Sequence, residues 1–445
     1  MENNVLQSLK SRKKWTTNGT SRIQPVEITL KKVSPLIDEV GISRIANITY
    51  MDRLKIPNYS TVLPGTEDYI WVYGGKGPTK NHAKASAIME SIERFSALPK
   101  NYSNKLIQGS YEELSKSYNI LKFDDLVEPL SFSLDNKMIM DYCIGYDLLN
   151  KKNILVPAAI VLFKFIPKPP SVNPYAFYHT NGLASGNVME EAICHALCEV
   201  IERDSTSISD FVSSAFQFHI LRYIENSFIQ NGLKLKAIES RKFMDDNEIY
   251  PDVDLNKFNS EYGQKLLKRF KKCQIPLIVK DITSDIGIPT FIASSVEWIN
   301  HDYGYFVEGQ GTHPDSRIAL IRAITEVSQS RSANIQGSRD DLRKMKYDFN
   351  DSDDKRSWQF IKSTKNVKFS DIMSFNNDDI LDDIKLILTK LKTRGLQKAI
   401  IVDLTNPGLN IPVVRAIVPG LETFKINKTI AGNRSKESFK KCLNL

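Results

Sequence analysis

Three stretches of the chain repeat one arrangement of acidic and basic residues. In AKASAIMESIER (83–94), AICHALCEVIER (192–203) and ALIRAITEVSQS (319–330), an alanine is followed three residues on by a polar residue. A second alanine comes next, then an acid at the eighth position and Glu, Glu or Gln at the eleventh. On a 3.6-residue wheel the polar positions fall within about 60° of one another, so each stretch predicts a helix with one polar stripe. The first stripe holds Ser86, Glu90 and Glu93, with Arg94 beside them. The second holds Glu191, His195, Glu199 and Glu202, followed by Arg203, and the third holds Arg322, Glu326 and Gln329.

One such stripe would read as a surface ion-pair ladder. Three matched copies predict equivalent helices packed about a shared axis, where converging carboxylates repel unless cations sit among them. Oxygen ligands of this kind suit Mg2+, which bridges polyphosphate oxygens. The arginines add planar, permanently charged donors for phosphate. The glycine-containing entries YGGKGPTKNHA (73–83) and NGLASGNVMEEA (181–192) add backbone N–H groups at helix N-termini. Neither is a Walker A sequence, so the expected site for Mg·ATP is split between elements. A di-metal carboxylate centre would want Glu-x-x-His pairs on several helices, but only His195 stands in the frame. Cys194 and Cys198 fall mid-helix, away from any strand-to-helix elbow, and read as buried structural thiols. His195, His179 and Tyr178 lie close to the second helix in sequence and could face a substrate, with buried packing as their default reading.

The elements that must hold these stripes are also repeated. Apolar residues fill the gaps of each helix (Ile88, Met89 and Ile92; Leu197, Val200 and Ile201; Leu320, Ile324 and Val327), and Gly77, Gly186 and Gly311 precede the three copies. A second repeat, strand–turn–strand, occurs at 45–62, 142–161, 277–296 and 400–418. Asn47, Asp147, Asp281 and Asp403 end the first strands, and Pro57, Pro157, Pro289 and Pro412 are expected to open the second. Together these predict an α/β protein built from internally repeated strand-pair and helix modules. Residues 205–270 look inserted, residues 1–15 read as a flexible N-terminus, and 426–445 form a basic, loosely held tail.

With 445 residues, 41% of them hydrophobic, the chain needs no disulfide or metal to fold. Its five cysteines show no paired spacing, which predicts reduced thiols and a cytoplasmic setting. No apolar run approaches a membrane span or a signal-peptide core. The net charge of +8 comes from lysines interspersed with acids, the pattern of solvated faces rather than of a nucleic-acid surface.

The residues SAIMESIER, GLASGNVMEEAICHALCEVIERD and EGQGTHPDSRIALIRAITEVSQSR resemble the YcaO superfamily, whose ATP site is marked by Ser-x-x-x-Glu-x-x-Glu-Arg. With the flanking segments, the likeness spans residues 15–425. It implies a YcaO-type α/β fold, usually dimeric, whose split pocket binds ATP and Mg2+. Carried over by motif, Ser86, Glu90, Glu93, Arg94, Asn187, Glu191, Glu199, Glu202, Arg203, Arg322 and Glu326 would serve the nucleotide and Mg2+. Arg22 and Thr29 would touch phosphate. The Mg2+ ligands would be Glu90, Glu93, Glu199 and Glu202, and Glu202, Arg203 and Arg322 would act in catalysis.

Family members phosphorylate a peptide-bond oxygen and then expel phosphate. Azoline-forming members commonly end in Pro-x-Pro-x-Pro, whereas this chain ends KKCLNL. It therefore resembles the stand-alone thioamide-forming type, in which sulfide is the nucleophile and a TfuA-type protein assists. The implied substrate is a glycine of a protein such as the methyl-coenzyme M reductase alpha subunit. Two alternatives stay open: a cyclodehydratase acting on Cys, Ser or Thr of a ribosomal peptide, and a non-catalytic nucleotide-binding scaffold.

Overall fold

The computed structural model describes residues 4–15, 21–66, 69–126, 135–174, 179–215, 230, 232, 249–298, 304–337, 358–360, 362–423 and 430–442. Its helices of eight residues or more are numbered here α1 to α7. The three predicted helices fall within α2 (Lys80–Ser96), α3 (Met189–Ala215) and α5 (Ser316–Gln336). Thr79 caps α2 by accepting the His82 N–H, Asp315 caps α5 by accepting that of Arg317, and Gly337 ends α5 with a left-handed φ of 64°.

Each frame helix packs on its own sheet. Strands β1 (Arg44–Asn47), β2 (Asn58–Thr66) and β3 (Tyr69–Lys76) form an antiparallel sheet under α2. Strands β10 (Thr290–Trp298) and β11 (Gly304–Thr312) underlie α5 in the same way. They begin a five-stranded sheet ordered β11-β10-β9-β8-β12, with β8 Asp252–Asp254, β9 Ile278–Asp281 and β12 Asn366–Lys368. The third sheet runs β4-β5-β13-β14-β7, with β6 paired to β5. Its strands are β4 Ile107–Ser110, β5 Ile139–Asp147, β6 Lys152–Pro157, β7 Leu183–Ser185, β13 Ile400–Asp403 and β14 Val413–Ile417. The apolar face of α3 (Ile193, Leu197, Ile201) packs there with Ile401, Val414 and the α6 (Ile380–Thr393) residues Ile384 and Ile387.

The strand-pair repeat has a local cause. Asn47, Asp147, Asp281 and Asp403 are the last residues of β1, β5, β9 and β13. Each side-chain Oδ1 accepts the backbone N–H two residues on, from Thr49, Leu149, Thr283 and Thr405, at 3.1, 3.0, 3.0 and 2.9 Å. These Asx turns satisfy a backbone donor where each ladder stops. Pro57, Pro289 and Pro412 stand directly before β2, β10 and β14, as expected. Pro157 does not: it is the last residue of β6, where its missing N–H ends the pairing instead of opening it.

The terminal segments depart from expectation. Leu6 is buried in the α3 core, the Lys10 N–H donates to Glu190, and Lys14 Nζ lies 2.6 Å from buried Asp383. At the other end, α7 (Asn433–Cys442) is fastened by Arg434, which donates to both oxygens of Asp204 at 2.9 and 2.8 Å. Buried charges of opposite sign hold both ends, a long-range pairing that local composition does not reveal. Of the segment 205–270, residues 205–215 continue α3, β8 joins the five-stranded sheet, and 261–270 belong to α4 (Glu261–Lys272), packed against α5. Residues 216–229 and 233–248 lie outside the described residues, as does Tyr178. No helix among the described residues is long and apolar enough to cross a membrane.

Candidate nucleotide site

The alanines of the frame are there because helix backbone lies directly on strand backbone. A Cβ on Gly75 would sit 2.2 Å from the Ala83 carbonyl oxygen and 2.2 Å from the Ala87 nitrogen. On Gly311 it would sit 2.1 Å from the Ala319 oxygen and 2.6 Å from the Ala323 nitrogen, and on Gly186 2.6 Å from the Ala192 nitrogen. Glycine on the strand side and alanine on the helix permit an approach that larger side chains would block. The longer polar residues, three and four positions away, are left on the flank that faces the other helices.

All thirteen residues singled out by motif line one cavity of about 490 Å3. From α2 come Ser86, Glu90, Glu93 and Arg94; from α3, Glu191, Glu199, Glu202 and Arg203. Arg322 and Glu326 project from α5, Asn187 from the turn before α3, and Arg22 and Thr29 from the N-terminal segment and α1 (Val26–Val33). The size is that of a pocket for a small-molecule ligand.

These residues divide into a satisfied set and an unsatisfied one. Glu191 accepts from Arg22 at 3.1 Å, from the Ile23 N–H at 2.8 Å and from the backbone and side chain of Asn187 at 2.9 Å each. Thr29 Oγ1 donates to Asn187 Oδ1 at 2.8 Å. This cluster moors the N-terminal segment at the entry to α3. Glu202 is different: it is 3% exposed, its Oε2 has no hydrogen-bond partner, and Arg203 lies no nearer than 3.9 Å to its other oxygen. Arg94 bridges Glu90 and Glu93 at 3.4 and 3.3 Å, and Lys76 pairs with Glu326 at 3.0 Å.

Burial dominates the electrostatics of the cavity. Burial pushes the Glu93 carboxyl up to about 8, opposed by Arg94 and reinforced by Glu199 and Glu90. Burial also raises Glu199 and Glu202, against Arg203. Glu326 is held below the ordinary range, its burial outweighed by Lys76, Arg203 and Arg322. Carboxylates that burial and one another's charge hold up, one with an oxygen that no donor reaches, are oxygen ligands of the kind a hard divalent cation such as Mg2+ takes. Glu90, Glu93, Glu199 and Glu202 are the cavity carboxylates that could contribute to such a site, with Arg94, Arg203, Arg322 and Arg22 lining the same cavity.

A second cluster nearby does not fit a metal. Among the described residues only Cys194, His313 and Asp383 bring three ligand atoms within 4.8 Å of one another; the cavity glutamates do not. However, the Lys14 ammonium already occupies the cation position beside Asp383. His313 Nδ1 accepts the Asp315 N–H at 2.9 Å, so in the neutral ring Nε2 keeps the proton and is directed to Ser21 Oγ at 3.1 Å. Cys194 and Cys198 also line the cavity, both buried; the hydrogen bond with Cys198, followed by burial, raises the Cys194 thiol, which suits a structural role.

Three cavity residues were not identified from the sequence as site residues. Lys76 belongs to GGKG, too short a signal to weigh. Ser185 donates its N–H to Glu93 Oε2 at 3.0 Å, a backbone contact without a sequence signature. His195 lines the cavity and accepts from Arg322 at 2.8 Å. Its signal was present, because His195 and Arg322 hold the same frame position. His179 is placed elsewhere, against buried Arg415 at 2.9 Å.

Comparison with known proteins shows the family. Residues 74–422 match the family model for the YcaO cyclodehydratases, described as ATP- and Mg2+-binding. An uncharacterized protein of Methanothermobacter thermautotrophicus is 30% identical over 422 residues, covering 94% of this chain and 98% of its own length. An uncharacterized protein encoded in the tfuA 3' region of Rhizobium leguminosarum bv. trifolii is 27% identical, covering 88% and 87%. Among solved structures, YcaO from Methanopyrus kandleri bound with AMPPCP and Mg2+ superposes with a TM-score of 0.67 at 22% identity, over 95% of this chain and 98% of that one. A heterocyclase in complex with substrate and cofactor gives 0.77 at 22% identity, over 98% of this chain but 57% of that longer one. The three polar helices, their glycine-backed packing and the match over residues 74–422 lead to one assignment: the chain belongs to the YcaO family of ATP- and Mg2+-binding cyclodehydratases.

Proposed function

We propose that this chain binds Mg·ATP in the cavity between α2, α3 and α5 and uses it to activate a backbone amide of a peptide or protein substrate. The observation that carries this reading is one cavity lined by Glu93, Glu199 and Glu202, all raised by burial and with Glu202 Oε2 unpartnered, together with Arg94, Arg203 and Arg322.

When bound, Mg·ATP supplies an electrophilic phosphoryl group that turns the amide oxygen into a leaving group. The residues of the chain do the positioning. Glu90, Glu93, Glu199 and Glu202 would hold the cation. Arg94, Arg203 and Arg322 would offer permanently charged donors to the nucleotide's phosphate oxygens, in a largely buried setting where such contacts are strong. Arg22 and Thr29, fixed through Glu191 and Asn187, present the N-terminal segment to the same anion.

Within that reaction class we infer thioamidation. Sulfide adds to the carbonyl carbon, the oxygen departs on phosphate, and the C=S bond forms, so that amide, sulfide and ATP give thioamide, ADP and phosphate. The relative in the tfuA 3' region supports this product and a TfuA-type partner. A glycine peptide of the methyl-coenzyme M reductase alpha subunit is the first substrate to test. The heterocyclase likeness favours a second reading, attack by a neighbouring Cys, Ser or Thr side chain to give an azoline. Incubation of candidate peptides with Mg·ATP, with and without sulfide, separates the two. A mass gain equal to exchange of oxygen for sulfur supports thioamidation, loss of water without sulfide supports the azoline, and neither mass change despite nucleotide binding contradicts both.

A further inference from the structure

Arg322 differs from the other arginines of the cavity. Arg22 is paired with Glu191 at 3.1 Å, Arg94 with Glu93 at 3.3 Å, and Arg203 lies 3.9 Å from Glu202. Among the described residues no carboxylate comes within ion-pair distance of Arg322. Its Nη2 instead donates to His195 Nε2 at 2.8 Å. A guanidinium has only donors, so Nε2 must present its lone pair, the ring proton must sit on Nδ1, and the imidazole is neutral. Burial, then Arg322, Arg22, Lys76 and His313, all disfavour a second proton.

Histidine carries a cost at this position. His195 Nδ1 is buried without a hydrogen-bond partner, a cost that an apolar residue in the same helical frame would avoid. An acid at this position would form an ion pair with Arg322 and cancel its charge, while an apolar residue would leave the guanidinium untethered.

We propose that His195 is a positioning residue for phosphoryl transfer: as a neutral acceptor it fixes Arg322 across the cavity while leaving its positive charge undiminished for the transferring phosphate. This rests on the Mg·ATP reading above.

The test compares His195→Gln, His195→Leu and His195→Glu with the unaltered chain, by calorimetric titration with Mg·ATP, steady-state phosphate release and thermal melting. Gln retains an acceptor and should stay within about threefold of the unaltered kcat. Leu should melt no lower than the original, yet lose about 10–100-fold in kcat with a smaller change in KM for ATP. Glu should weaken Mg·ATP binding as well. A His195→Leu protein with unaltered kcat, a Gln variant no better than Leu, or a Leu variant that melts lower and loses activity only in proportion overturns the proposal. Failure of the unaltered chain to bind Mg·ATP overturns the nucleotide reading itself, and the proposal with it.

Discussion

Glu93 on α2 accepts the backbone N–H of Ser185 at 3.0 Å, at the final residue of β7, just before the chain turns into α3. One frame helix thus fixes the approach to the next, and a proposed metal ligand is aimed by backbone from another module. The modules are joined at the residues proposed to act, so binding and folding are coupled at this point.

Glu202 is the most exacting place to test the metal assignment. Replacing it by Gln removes the charge but keeps the shape. Mg·ATP affinity should fall by about 10–100-fold, while the metal-free protein melts at the same temperature or higher because a buried charge is gone. Titration calorimetry and melting read the two effects separately; unaltered affinity would exclude Glu202 as a ligand.

The pH dependence follows from Glu93. Its carboxyl titrates near 8 in the fold, above its ordinary 4.5, so the folded metal-free chain binds more protons than the unfolded one between those values. The stability it contributes is present below about pH 4.5 and is lost as pH rises through about 8. Mg2+ favours the ionised form and must displace that proton. The rise in melting temperature produced by Mg·ATP should therefore grow from about pH 6 to about pH 8.5, with proton release detected as buffer-dependent binding heat. A rise independent of pH would contradict protonated carboxyls in the empty site.

Gly311→Ala tests the packing that sets the helix in place. The added methyl meets the Ala319 carbonyl oxygen at 2.1 Å, and only movement of α5 away from β11 can relieve it. A loss of about 1–3 kcal/mol is expected by denaturant unfolding, with weaker Mg·ATP binding, since Arg322 and Glu326 move with the helix. Unchanged stability would mean that the strand and helix are less closely packed than described.

The frame was legible in sequence because helical period alone decides which side chains share a stripe. The strand pairs were legible because an Asn or Asp at a strand end makes its bond two residues on. The rest depends on partners far apart in the chain. Lys14 meets Asp383 and Arg434 meets Asp204, so neither terminal segment shows in its own composition that it is docked. β8 and β12 are three residues each and pair in parallel across the chain, too short for a periodic signal. A lone histidine on a helix with an apolar face is by default a packing residue; the contact of His195 with Arg322 depends on a partner on another helix and has no local signal.

The C-terminal helix offers a further check. Arg434→Ala leaves Asp204 buried beside Glu422 without its guanidinium, and Asp204 follows Arg203 on α3. A loss of about 3–5 kcal/mol is expected. Asp204→Asn should cost less, as no uncompensated negative charge remains. Equal losses would show that the hydrogen-bond geometry, not the charge, fastens α7.

Under the proposed function this chain moves a phosphoryl group onto a backbone amide oxygen. The direct measurement uses a substrate peptide labelled with oxygen-18 at the target carbonyl, incubated with Mg·ATP and sulfide, followed by mass analysis of the released phosphate. Oxygen-18 in the phosphate, in step with product formation, is the expected result. Modified peptide accompanied by unlabelled phosphate would contradict it.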